Sequence, residues 1–155
     1  MIKISIQQKD FDVSAEIKSI SSKTVGAIAT FSGIVRDSTE SNALISLTLE
    51  HYPGMSEAAL EKIADAAMQK GSLEAVRIIH RVGRLLPEDN IVFVGCASAH
   101  RHAVFDGCQY IMDFLKTDAP FWKSEETQEG RIWVSEREKD QNASKSWLSK
   151  KTQKS

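Results

Sequence analysis

Residues 91–123 read IVFVGCASAHRHAVFDGCQYIMDFLKTDAPFWK, and three changes of rhythm within them decide the fold. Residues 91–97 are almost wholly apolar, the pattern of a central strand covered on both faces. Ser98 follows as a helix-capping residue type. Beyond it Val104, Cys108, Ile111, Met112 and Leu115 recur at i, i+4, i+7, i+8 and i+11, the apolar stripe of an amphipathic helix. Pro120 stops that helix, because its ring leaves no N–H for the ladder. Residues 121–126 and 131–135 then read as a hairpin around Gln128-Glu129-Gly130.

Upstream the signals are shorter. Ile2, Ile4 and Ile6 alternate, which predicts a strand over 2–7. Val13, Ile17 and Ile20 predict a short helix over 13–20. Residues 24–36 are β-branched and apolar with small residues between, and predict a long, largely buried strand ending at Arg36. Residues 37–42 contain no apolar side chain and form either a lid beside Arg36 or, the commoner role, a connector. Residues 44–52 predict a strand with Leu47, Leu49 and His51 on one face. Ser56 is expected to cap a helix carrying Ala59, Leu60, Ile63 and Ala67, ended by Gly71. Val76, Ile78 and Ile79 predict a strand leading to Gly83, and residues 87–90 a turn. Irregular alternation of strands and helices with a terminal hairpin points to an α+β fold. We expect one domain over 1–148 and a frayed basic tail over 149–155.

Composition narrows the function. The chain has 155 residues, of which 41% are hydrophobic and 26% charged, enough for one packed core. Lys+Arg total 20 against 21 Asp+Glu, so no basic excess supports non-specific nucleic-acid binding. No run approaches the roughly 20 apolar residues of a membrane span, and the alternating start does not read as a signal peptide. Two cysteines, Cys96 and Cys108, are too few for a disulfide scaffold. The expected compartment is cytoplasmic. Both cysteines fall on apolar faces and are expected to be buried and inert. A protein of this kind that handled sulfur would not carry it on its own thiols. Trp133 and Trp147 are read as packing residues.

The cations sit at element ends. His100 and His102 are two apart, so on a helix they diverge and do not share a metal ion; no metal site is expected. His100 and Arg101 instead fall in the first helical turn, where free N–H groups and the dipole favour an anion. Lys116 follows Phe114-Leu115 and Lys123 follows Phe121-Trp122, so each is expected to emerge from an apolar wall. Desolvation there would depress a lysine's pKa and suit it to proton transfer. Arg101 and Lys116 lie at opposite ends of one helix, roughly 22 Å apart at about 1.5 Å per residue. A small anion cannot touch both. If both ends serve one kind of site, a second copy of the chain must complete it. We therefore expect a homodimer whose pocket joins Lys116 and Lys123 of one subunit to His100 and Arg101 of the other.

Several stretches together closely resemble the catalytic subunit of molybdopterin synthase, the MoaE family. They are residues 31–36 (FSGIVR), 47–55 (LTLEHYPGM), 79–83 (IHRVG), 92–95 (VFVG), 98–101 (SAHR) and 115–123 (LKTDAPFWK), in the family's order. The resemblance implies an α/β-hammerhead with an added antiparallel β-hairpin subdomain. It implies a sulfurtransferase that converts the cyclic pyranopterin monophosphate precursor Z into molybdopterin in molybdenum cofactor biosynthesis, with no resident cofactor. Sulfur would arrive as a thiocarboxylate on the C-terminal Gly-Gly tail of a small ubiquitin-like subunit of the MoaD type. The assembly implied is a heterotetramer built on a central homodimer. By position, Lys116 and Lys123 match the family's catalytic lysines. Arg36, His100 and Arg101 match its substrate-binding cations, and Arg137 is a further match. The chain departs from many relatives at Ile34 and Ser124, where they carry basic residues, and its 37–43 loop looks shorter than in some. The competing reading is a non-catalytic docking module for a ubiquitin-like protein, using the Phe121-Trp122 hairpin.

Overall fold

The computed structural model describes residues 1–39, 42–134 and 142–148. In chain order the elements are β1 (Ile2–Gln7), α1 (Val13–Ser19), β2 (Ala27–Ile34), β3 (Ser46–His51), α2 (Met55–Lys70), β4 (Leu73–Arg81), β5 (Gly83–Leu85), β6 (Asn90–Ser98), α3 (Arg101–Asp118), β7 (Phe121–Thr127) and β8 (Gly130–Val134). Residues 142–148 form a further short helix of about two turns. The strands make two four-stranded sheets, ordered β1-β4-β6-β2 and β5-β3-β7-β8, so the fold is α+β.

The apolar run at 91–97 is central, as its composition requires. β6 lies antiparallel between β4 and β2, and β1 joins β4 in parallel. On one face α2 and α3 bury Leu60, Ile63, Val104 and Ile111 against Val76, Ile78 and Val94. The other face holds a smaller cluster of Ile20, Ala75 and Ala97 beneath the end of α1. Each such aliphatic side chain stabilises the fold by about 1.5–3 kcal/mol when fully buried. The helix at 142–148 is tied to α3 by Trp147, whose Nε1 donates to Asp113 Oδ2 at 2.6 Å and whose ring meets Tyr110 edge-on. Among the described residues no helix is long and apolar enough to cross a membrane.

Five local expectations need correction. The strand expected over 24–36 is shorter and half-exposed, because among the described residues β2 is an edge strand with β6 as its neighbour. Its pairing shifts between Gly33 and Ile34, where a Cβ on Gly33 would come within 2.7 Å of Val92 Cγ1. That bulge buries Val35 and carries Arg36 past the end of the sheet. Ser56 is not the cap of α2. Gly54 takes that place, its N–H donating to Glu57, while the buried Ser56 hydroxyl donates to the Pro120 carbonyl at 2.8 Å. Ser98 is the last residue of β6, and its hydroxyl donates to the Ser72 carbonyl at 2.6 Å. His100 caps α3 instead, in extended conformation and without a side-chain cap bond. Trp133 is 56% exposed and packs little, whereas Trp147 is buried as expected. Finally, Cys108 is only half-buried.

Candidate active site

Lys116 stands in the last turn of α3 and Lys123 is the third residue of β7. Pro120 and the extended Ala119 between them turn the chain from the helix layer into the second sheet. In that sheet Lys123 pairs with Leu49 on β3 and Val134 on β8, and strand alternation puts Phe121, Lys123 and Glu125 on one face. Arg36 arrives from the β2 bulge. These three cations line a single cavity of about 620 Å³, a volume suited to a small-molecule ligand. Phe31, Ile34, His80, Phe121 and Glu125 complete its walls.

Charge in the cavity is lopsided. Among the described residues, three cationic side chains face one carboxylate, Glu125, so an anionic guest is favoured. Lys123 is half-buried, in line with an apolar wall behind it. Lys116 is exposed in the single chain, contrary to the expectation from Phe114-Leu115. Those two side chains pack inward, and the ammonium is carried out at the cavity rim. Ile34, one of the two departures from the family pattern, is 53% exposed on the wall and offers no charge. Ser124, the other, is buried, with a hydroxyl that has no hydrogen-bond partner among the described residues.

His100 and Arg101 are exposed and lie at the opposite end of the 18-residue α3, so the chain does not bring them to its own lysines. Arg137 lies outside the described residues. Neither cysteine lines the cavity. Cys96 is wholly buried, and the neighbouring Cys108 thiol together with that burial pushes its pKa up, while Cys108 Sγ donates to the Ala29 carbonyl at 3.2 Å. Among the described residues no three His, Cys, Asp or Glu side chains converge to hold a metal ion.

Sequence reading assigned no role to His80. It sits two residues past Ile78 on the same face of β4, with 5% of its surface exposed. Its ring stacks on Phe121, with centroids 3.9 Å apart, and Nδ1 lies 2.9 Å from the Arg81 carbonyl oxygen. Desolvation is the main reason its pKa falls to about 4, with the nearby charges of Lys116 and Lys123 adding to the effect. The signals available beforehand were a histidine interrupting an apolar strand and its place in the 79–83 stretch.

Residues 6–118 match the family model described as MoaE protein. The chain belongs to the MoaE family. A MoaE-family relative from Pseudomonas aeruginosa, a molybdopterin synthase catalytic subunit, is 50% identical over 146 residues, covering 93% of this chain and 97% of its own. One of the same name from Escherichia coli is 49% identical over 146 residues, covering 94% and 97%. Among solved structures, the molybdopterin biosynthesis MoaE protein from Burkholderia ambifaria superposes with a TM-score of 0.81 at 46% identity, covering 95% of this chain and 98% of that one. The α+β architecture of the MoaE family, with its β7–β8 hairpin joined to a second sheet, is therefore the fold that the sequence resemblance implied.

Proposed function

We propose that this chain is the catalytic subunit of a molybdopterin synthase, a sulfurtransferase acting on cyclic pyranopterin monophosphate, precursor Z. The observation that carries this reading is the convergence of Lys116, Lys123 and Arg36 on one cavity from which both cysteines are absent. The cavity favours an anionic guest, and the substrate carries a phosphate. With no thiol at the site, sulfur has to come from outside. The catalytic subunits named above are relatives along nearly their whole length.

In this reading a small ubiquitin-like subunit delivers sulfur as the thiocarboxylate of its C-terminal Gly-Gly tail, which enters the cavity beside Lys116. The thiocarboxylate sulfur bonds to a substrate carbon as a carbon–oxygen bond at that carbon breaks, the oxygen leaving with the electron pair and taking up a proton from one of the lysines. The acyl–sulfur bond is then cleaved by water, which leaves the tail a carboxylate and the sulfur on the substrate. Lys116 and Lys123 move the protons of these steps and stabilise developing negative charge. Arg36 holds the anionic end of the substrate. His100 and Arg101 reach the same pocket from a second copy, with Arg137 as an added cation, so the working unit is a homodimer flanked by two small subunits. Two free thiols, one buried and one half-buried, suit a reducing cytoplasm, where we place the reaction.

The test is reconstitution. Purified chain, thiocarboxylated small subunit and precursor Z should yield molybdopterin with its dithiolene. Stable docking of the small subunit with no product would replace this reading with that of a docking module.

A further inference from the structure

Among the groups lining the cavity, His80 is a nearly fully buried titratable side chain to which the proposed chemistry gives no task. Its Nδ1 lies 2.9 Å from the Arg81 carbonyl oxygen. A carbonyl only accepts, so Nδ1 carries the ring proton and Nε2 keeps a lone pair. The ring cannot swing. It lies 10° from parallel with Phe121 at 3.9 Å and is almost fully buried. What remains for the cavity is a neutral acceptor beside three donors, Arg36, Lys116 and Lys123, and one carboxylate, Glu125.

We propose that His80 is a positioning residue whose Nε2 accepts a hydrogen bond from one of the two lysine ammonium groups and aims it into the cavity they share. This deepens the proposed function and rests on its assignment of the two lysines. The choice of acceptor matters chemically. A carboxylate in the same place would pair with an ammonium and hold its proton. A neutral imidazole orients the amine and leaves it able to release that proton. Both lysines are close enough for their charges to disfavour a proton on the ring, and its pKa of about 4 keeps the acceptor intact throughout the neutral range.

Two substitutions separate the lone pair from the ring. His80→Phe keeps an aromatic ring on Phe121 and removes both nitrogens. His80→Gln gives up the ring and keeps an acceptor near the Nε2 position. In the assembled enzyme, with small subunit and precursor Z, His80→Phe should lower kcat by about tenfold or more with KM little changed, the cost of a lost hydrogen bond to a charged group. His80→Gln should recover most of that loss. A His80→Phe enzyme that keeps its rate, or a His80→Gln enzyme as slow as His80→Phe, overturns the proposal. A second readout needs no turnover. In nitrogen-15 spectra of the full chain, the Nε2 resonance should move downfield when Lys116→Ala or Lys123→Ala removes its donor. A resonance indifferent to both substitutions also overturns the proposal. If the unaltered protein makes no molybdopterin, the functional reading fails by itself, and the spectra still decide the role of His80.

Discussion

His80 and Phe121 stack with their ring centroids 3.9 Å apart, which joins β4 of the first sheet to β7 of the second at the cavity wall. The contact ties stability to pH. Unfolded, the imidazole takes its proton near 6.5; folded, near 4. Between those values the unfolded chain binds the extra proton, so this contribution is present above 6.5 and is lost as pH falls toward 4. The loss should reach about 3 kcal/mol. Urea titrations at neutral pH and near pH 4 should show it, and His80→Gln should flatten the difference. An unchanged slope in that variant would remove His80 from the account.

Lys116→Ala and Lys123→Ala should each slow molybdopterin formation by about a hundredfold or more, the scale of a lost proton-transfer group. Small-subunit affinity should change little, because neither ammonium is a large apolar anchor. Single-turnover assays beside binding titrations distinguish this from a docking defect. Either variant keeping half its rate would strike that lysine from the site.

Subunit mixing tests the shared pocket. Lys116→Ala and Arg101→Ala chains are each expected to be nearly inactive alone. Mixed in equal amounts and allowed to exchange, they should regain about a quarter of the normal rate, since half the dimers then hold one intact pocket and one doubly altered. No recovery despite confirmed exchange would mean that Arg101 acts within its own subunit or not at all.

Gly26→Ala probes the approach to α3. The Gly26 N–H donates to the Ser98 carbonyl at 2.9 Å, and a Cβ there would strike the Ala99 carbonyl oxygen. Backbone must shift beside His100. We expect a stability loss of about 1–3 kcal/mol, as for other overpacked sites, measured by chemical denaturation. KM for precursor Z should rise while kcat holds, because His100 and not the lysine end is displaced.

Periodicity made the helix and strand skeleton legible. The 91–97 run, the α3 stripe and the Pro120 break each follow from a local physical rule, and each holds in the structure. The misses came where tertiary partners outweigh local preference. Ser98 has the chemistry of a cap but serves as a strand end, because its hydroxyl finds the Ser72 carbonyl. The apolar stretch before Arg36 looked buried, but an edge position leaves Phe31 and Ile34 on the cavity wall. β5 is only three residues long, too short to show a period. At the site, the lysines and Arg36 could be found from element ends and from the family stretches. Nothing local announces that residue 36 meets residues 116 and 123, because that proximity is made by two sheets and a bulge. His80 was hidden by its setting, since a buried histidine in an apolar strand has the same sequence whether it faces a core or a cavity.

Lys116 and Lys123 hang from different layers, one from a helix and one from a strand, and only six residues span the joint. That link works as a caliper. Adding or deleting one residue would reverse the strand's alternation, bring Trp122 or Ser124 to the cavity and turn the second amine away. Length drift should thus be ruinous between Thr117 and Trp122, however well the altered protein folds.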